Sequence, residues 1–241
     1  MSAEPHACSY LPGQTALTPL RYPTRRPVAD EFDALLAEGD RRAGPMLYRT
    51  SCPECSACEA LRIPVARFTP TKSQRRVQRL NSDTVRVEVG PARTTPAHVD
   101  LYNKHRDLRG LATDDSPLTL NEYESVYVRS CVDTREVRYL VGDRLVAVSL
   151  LDLGAKAASS VYHYFDPDEG KRSLGVYSVL REIALCADWQ VDWYYLGLWV
   201  RDCSSLVYKS SYYPHQRLRA GEWTEYARVD GKGRTEGTSD E

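Results

Sequence analysis

The sequence predicts an α+β fold, and three stretches carry that reading. Residues 174–189 place Val176, Leu180, Ile183, Ala184 and Ala187 on the inward face of a long helix. Residues 193–200, WYYLGLWV, are apolar throughout, as in a strand covered on both sides. Residues 136–141 and 144–153 read as strands joined at Gly142-Asp143, a dipeptide suited to a hairpin turn.

The remaining elements follow in order. Residues 1–28 lack periodicity and read as an extended loop held around Cys8, Tyr10 and Leu11. Residues 30–38 set Phe32, Leu35 and Leu36 on one helical face, with Gly39 as C-cap. Residues 61–68 read as a strand. Residues 72–79 form a short helix capped by Thr71 or Ser73. Its Lys72, Arg75, Arg76 and Arg79 share one face, while Val77 and Leu80 anchor the other. Residues 84–89 are a strand, and 95–105 a helix with Thr95 as cap and Pro96 first. Residues 119–129 are a second helix. His98 and His105 read as helix-surface residues without a role. Residues 159–165 are a strand, 166–170 a loop, 204–211 a short helix and 216–226 a final strand region.

A chain of 241 residues, 42% hydrophobic and 27% charged, can bury a substantial core. No apolar run approaches the roughly 20 residues that span a bilayer, so no membrane partner is expected. Nor does the N-terminus read as a signal peptide. Seven cysteines without such a signal read as cytoplasmic thiols or ligands rather than disulfides. The net charge of −1 argues against a protein that coats nucleic acid. Local clusters at 72–79 and Lys171-Arg172 still allow a small contact with a strand end.

Cys52, Cys55 and Cys58 stand in C-x₂-C-x₂-C spacing, which lets several sulfurs meet one metal. Cys8 is the remaining cysteine of the N-terminal half and the candidate fourth ligand. An iron–sulfur cluster or zinc is one reading; a buried or redox-sensitive thiol cluster is the other. The basic helix likewise reads either as a solvated face or as an anion binder.

From residue 84 the order is strand, two helices, three strands, helix, strand, helix, strand. That is the order of the GNAT acyltransferase fold. Three parts follow: 1–81, a small cysteine-containing N-terminal region with the basic helix; 82–226, a GNAT-like transferase domain; and 227–241, a polar tail expected to be disordered. Arg172-Ser-Leu-Gly175-Val-Tyr177 opens the long helix where that fold binds phosphate, and a helix N-terminus suits an anion. Tyr177 stands where a small residue is usual, which argues against acetyl-CoA.

The chain resembles the aminoacyl-tRNA–protein transferases of the N-degron pathway, which include arginyl- and leucyltransferases. The N-terminal half matches through Cys8-Ser-Tyr-Leu-Pro-Gly13, Gly39-Asp-Arg-Arg42, the three spaced cysteines and Ser-Gln-Arg-Arg-Val77. The C-terminal half matches through Ser160-Val-Tyr162, Phe165-Asp-Pro167, Ser173-Leu-Gly175, Tyr195-x-Gly197 and Tyr208-Lys209. The resemblance implies that Arg or Leu passes from aminoacyl-tRNA, the donor substrate, to the α-amine of proteins with N-terminal Asp or Glu. Charged tRNA and proteins with acidic N-termini are then the partners. On this reading Asp166, beside Tyr164, orients or deprotonates the amine; the plainer alternative is a turn cap. Lys209 offsets developing negative charge. Tyr162, Tyr195 and Tyr208 line the cleft or belong to the core. Lys72, Arg172, Ser173 and Gly175 hold the tRNA, and Arg75, Arg76 or Arg79 reads the acceptor carboxylate. The rivals are a CoA-dependent N-acetyltransferase and a non-catalytic, metal-containing RNA-binding module.

Overall fold

The computed structural model describes residues 4–111 and 116–228. The chain runs β1 (His6–Ala7), β2 (Thr15–Ala16), β3 (Leu20–Arg21), α1 (Ala29–Ala37), β4 (Arg41–Ala43), β5 (Met46–Tyr48) and β6 (Glu59–Pro64). Then come α2 (Lys72–Asn81), β7 (Arg86–Pro91), α3 (Pro96–Leu108), α4 (Leu120–Tyr123), β8 (Asp133–Val141), β9 (Arg144–Leu153) and β10 (Ala157–Phe165). Last are α5 (Leu174–Asp188), β11 (Trp193–Trp199), β12 (His215–Arg219) and β13 (Glu222–Tyr226). The result is a mixed α/β architecture around one mixed sheet of eight strands, ordered β13-β12-β6-β11-β10-β9-β8-β7. The expected tail falls mostly at 229–241, outside the described residues.

Local chemistry accounts for the helices. Thr71 Oγ1 accepts from the Gln74 amide while Gln74 Oε1 accepts from the Thr71 amide, a reciprocal cap that starts α2. The α2 anchor holds at Val77, which packs half-buried against the core, but not at Leu80. Leu80 is 50% exposed, whereas Gln74 and Asn81 are buried. Asn81 Nδ2 donates to Val77 O and Arg172 O, both at 2.9 Å, so hydrogen bonds fix what apolar contact does not. In α5 Ala187 lies outside the core, and Tyr177, Glu182 and Cys186 are buried instead. The expected helix at 119–129 keeps one α turn and widens to a π turn over Glu124–Val128. His98 and His105 are buried, contrary to their surface reading. His98 bridges Thr95 and Glu136, and His105 Nδ1 meets the backbone of Phe165.

The sheet has two differently furnished faces. Against α5 pack Tyr139, Ala147, Leu151, Ala158, Tyr194 and Leu196. The other face meets α3 and α4 through Tyr102, Tyr123, Tyr127 and Tyr164, and meets α1 through Phe32, Leu36, Ala157 and Tyr195. β6 comes from the cysteine-bearing half, yet it pairs antiparallel with both β11 and β12. The expected boundary at 81/82 therefore does not divide the sheet.

One ion pair fixes the N-terminal segment on this sheet. Arg42 Nε donates to Asp152 Oδ2 at 2.7 Å, with both side chains fully buried. Thr134 Oγ1 donates to the other carboxylate oxygen at 2.6 Å. Removing one member strands the other charge, a loss of about 3–5 kcal/mol for a buried pair. Arg42→Met should lower urea-measured stability by about that amount. Adding Asp152→Leu should recover most of the loss, and no recovery would mean that the pair is not the reason.

Candidate functional site

β10 and β11 are the parallel neighbours of the sheet, joined through α5. They pair only at Ala157↔Trp193, Ala158↔Tyr194 and Ser159↔Tyr195. Beyond that point each strand carries an irregularity against its other neighbour, between Ser160 and Tyr162 in β10 and between Tyr195 and Gly197 in β11. The strands part there, and two cations enter the opening. Arg41 leaves β4 with its Nη2 3.4 Å from Ser160 O and its Nε 3.3 Å from Tyr48 Oη. Lys209 donates to Leu198 O at 2.9 Å. Gly197 leaves room for both. A Cβ there would lie 2.6 Å from Arg41 Nη1 and 3.1 Å from Lys209 Nζ, on a backbone with φ +98°.

The electrostatics follow from this crowding. Burial strips water from the Lys209 ammonium, Arg41 repels it, and its pKa is pushed down to about 7. Behind Ser160 lies Glu182 of α5, fully buried and pushed up to about 7 by burial. The Tyr194 hydroxyl donates to Glu182, and the hydroxyls of Ser149 and Ser160 also favour its charged form.

The cysteines sit next door. Cys8, Cys52, Cys55 and Cys58 line one cavity of about 380 Å³, which Leu198 also lines. The amides of Tyr10 and Leu11 point at Cys8 Sγ, and that of Leu17 at Cys52 Sγ, each at 3.4 Å. Burial, with Cys52, Cys8 and Cys55 nearby, pushes the Cys58 thiol up to about 11. As they stand, no three His, Cys, Asp or Glu side chains among the described residues are grouped closely enough to hold an ion.

Other expected residues go elsewhere. Asp166 is 4% exposed and sits between Lys104 and Arg144, each at 2.6 Å, while accepting from the Asp168 amide. Burial opposes its charge, but these partners hold its pKa below the usual carboxylate range. That is a cap at the start of the turn Pro167–Arg172, and a poor base. Tyr164 is wholly buried and shares a 2.6 Å hydrogen bond with Tyr123; Tyr162 packs in the same tyrosine cluster. Tyr164 belongs to the core, while Tyr162, half-buried, packs against it beside the irregularity that borders the opening. Tyr195 is buried too, its hydroxyl accepting from Arg62 at 3.1 Å.

Tyr208, 46% exposed, lines a groove of about 470 Å³ with Thr71, Gln74, Val77 and Val176. Lys72, Arg75, Arg76 and Arg79 are all exposed beside it. Arg172 is occupied by Glu169 at 2.6 Å and Thr84 at 2.8 Å, and the Ser173 amide by Gly170 O. The nearest atom to a Cβ on Gly175 would be Phe165 Cε1 at 3.8 Å, so packing does not demand that glycine.

Arg41 and Glu182 escaped the sequence reading. Arg41 appeared there only within the Gly39-Asp-Arg-Arg42 motif. Glu182 had a signal, a lone carboxylate beside Ile183 on an apolar helix face.

The family described as "Arginine-tRNA-protein transferase" matches in two parts, its N terminus over residues 6–76 and its C terminus over residues 97–219. An "Aspartate/glutamate leucyltransferase" of Pseudomonas savastanoi is 36% identical over 222 residues, covering 92% of this chain and 94% of the relative. One from Acinetobacter baumannii is 35% identical, covering 91% and 81%. Among solved structures, FemX gives a TM-score of 0.44 at 8% identity over 76% of this chain and 63% of its own. L-PGS from Bacillus licheniformis gives 0.46 at 9% identity over 60% and 47%.

Lys209 makes a testable case of a cation held against its own preference. Its folded pKa lies below that of an unfolded lysine, so the folded state resists protonation. That penalty is complete below pH of about 7 and fades as pH rises toward about 10.4, where the unfolded lysine also loses its proton. Lys209→Met should therefore raise the Tm more at pH 6 than at pH 9 while reducing activity. An equal shift at both pH values would show that Lys209 is not held this way.

Proposed function

Because this chain belongs to the arginine-tRNA–protein transferase family and so is an aminoacyltransferase, we propose that it moves leucine from leucyl-tRNA to the α-amine of proteins beginning with Asp or Glu. The observation that carries the reading onto a site is the parting of β10 and β11 around Gly197, with Arg41 and Lys209 meeting over it. We read the sheet from β7 to β11, with α5, as a GNAT-like acyltransferase core. The cysteine-bearing N-terminal segment lies against it. No helix among the described residues is long and apolar enough to cross a membrane. Charged tRNA as donor suits a cytoplasmic reaction.

The chemistry asks little beyond placement. The acceptor nitrogen attacks the ester carbonyl carbon of leucyl-tRNA, the bond from that carbon to the ribose oxygen breaks, and the amine's proton ends on that oxygen. An α-amine has a pKa of about 7.7–8.0, so part of it is neutral and nucleophilic near neutral pH. The ester is already activated, and orientation supplies much of the rate. Asp166, saturated by Lys104 and Arg144, is not the base.

Lys72, Arg75, Arg76 and Arg79 suit tRNA phosphates, because they are exposed and phosphates remain hydrated at such contacts. Tyr208 in the adjoining groove suits stacking on a terminal base. The open space beside Gly175 suits a further phosphate, with Arg172 bracing the loop. The four N-terminal cysteines fit a thiolate-bound zinc or iron–sulfur group. Backbone amides already aim at Cys8 and Cys52, and burial, with the neighbouring thiols, holds the bare Cys58 thiol protonated, a state that a cation would reverse. Such a group would brace the segment that carries Tyr10 and β4.

Two experiments test this. Purified protein should transfer labelled leucine from leucyl-tRNA to peptides beginning with Asp or Glu and far less to Ala. Transfer from arginyl-tRNA alone would overturn the donor, acetyl transfer from acetyl-CoA would favour the rival enzyme, and tRNA binding without transfer would favour the non-catalytic module. Arg76→Ala and Arg79→Ala should each weaken tRNA binding and lower the slope of log K against log salt by about 0.7–0.9. Unchanged slopes would remove α2 from the tRNA surface.

A separate measurement addresses the thiols. Protein prepared without oxygen should contain zinc or iron by elemental analysis, and Cys55→Ser should lose metal and lower the Tm together. Metal-free protein of full stability would leave a plain thiol cluster.

A further inference from the structure

We propose that Arg41, backed by Lys209, reads the side-chain carboxylate of the acceptor's first residue; this rests on the acceptor class proposed above. The argument begins with reach. The attacking nitrogen and that side chain hang on one Cα, so the group that recognises the carboxylate must stand beside the reacting ester. The α2 arginines are exposed, and a cation in water separates a carboxylate from an amide weakly and loses the effect in salt.

Arg41 is placed differently. It is half-buried, and three strands aim its guanidinium: β5 through Tyr48, β10 through Ser160 O, and β11 through the space left by Gly197. Its neighbour in that space is a second cation. Among the described residues neither Arg41 nor Lys209 has a carboxylate within ion-pair distance, whereas the buried Arg42, Arg138 and Arg217 and the half-buried Arg172 each do. Two like charges held together without a counter-ion form a standing site for an anion. An arriving carboxylate relieves their repulsion and restores the Lys209 proton, so its binding is favoured from both sides. A planar fork with free donors suits a carboxylate, and the half-buried setting limits the water that would blunt discrimination.

The test compares peptides beginning with Asp and with Asn, which share shape and differ in charge, at saturating leucyl-tRNA. Arg41→Gln should lower kcat/KM for the Asp peptide about 10- to 100-fold, the scale of a charge-assisted hydrogen bond. The Asn peptide should change by no more than about threefold, and the Kd for leucyl-tRNA should hold. Lys209→Met, as the second variant, should shrink the same Asp-over-Asn ratio by a smaller factor. Equal losses for both peptides would assign Arg41 to the shared chemistry and overturn the proposal. Loss of tRNA affinity with the ratio intact would make the pair a phosphate site and overturn it as well. Wild-type protein that transfers to neither peptide would instead bring down the acceptor class on which the proposal rests.

Discussion

The buried contact between Arg42 and Asp152 is the interaction on which the rest of the site depends. Alone, β4 is three residues at the edge of a small sheet with β5 and β3, too short to hold a side chain in place. The ion pair, with Arg42 also donating to Gly44 O and Arg129 O, pins that short strand to the large sheet. Arg41 then has no freedom to turn outward. A buried pair of this kind adds little net stability compared with apolar packing, and its value lies in the one geometry it permits.

The two faces of the sheet divide labour through their chemistry. The α5 face is largely apolar, with Glu182 as its conspicuous exception. The opposite face is built from tyrosines whose hydroxyls satisfy one another, Tyr123 with Tyr164 and Tyr127 with Tyr102. Each ring there buries a large apolar area and yet must place one polar atom. Pairing the hydroxyls meets that need without water. It also explains why Tyr164, which the sequence sets beside Asp166, belongs to packing.

Local signals were legible because local chemistry decides them. Thr71 before its helix, Thr95 with Pro96, and Gly142-Asp143 announce helix starts and a turn within a few residues. Lys209, Tyr208 and the α2 cations could be picked out by type. What spacing could not give was convergence. Arg41 meets Ser160 across 119 residues. Asp166 ends a strand, as expected, but nothing near it in the sequence says that Lys104 and Arg144 reach it first. Arg172 is partnered by Glu169 three residues back, and its second partner, Thr84, is 88 residues away. For Arg41 and Asp166 the sequence displayed a charge and left its partners out of sight.

The place of β6 bears on how the protein is made. It leaves the ribosome early, yet its partners β11 and β12 begin at residues 193 and 215. A long interval of synthesis passes in which this apolar strand has amides and carbonyls without partners, the condition in which strands seek other chains. The eight-stranded sheet closes only when nearly the whole chain has emerged. Such distant pairing makes folding slow and late. A nascent chain stalled before residue 193 would carry the cysteines, the basic helix and β6 without the sheet that shelters them, so quality control during translation would have to recognise an unfinished sheet rather than an unfolded tail.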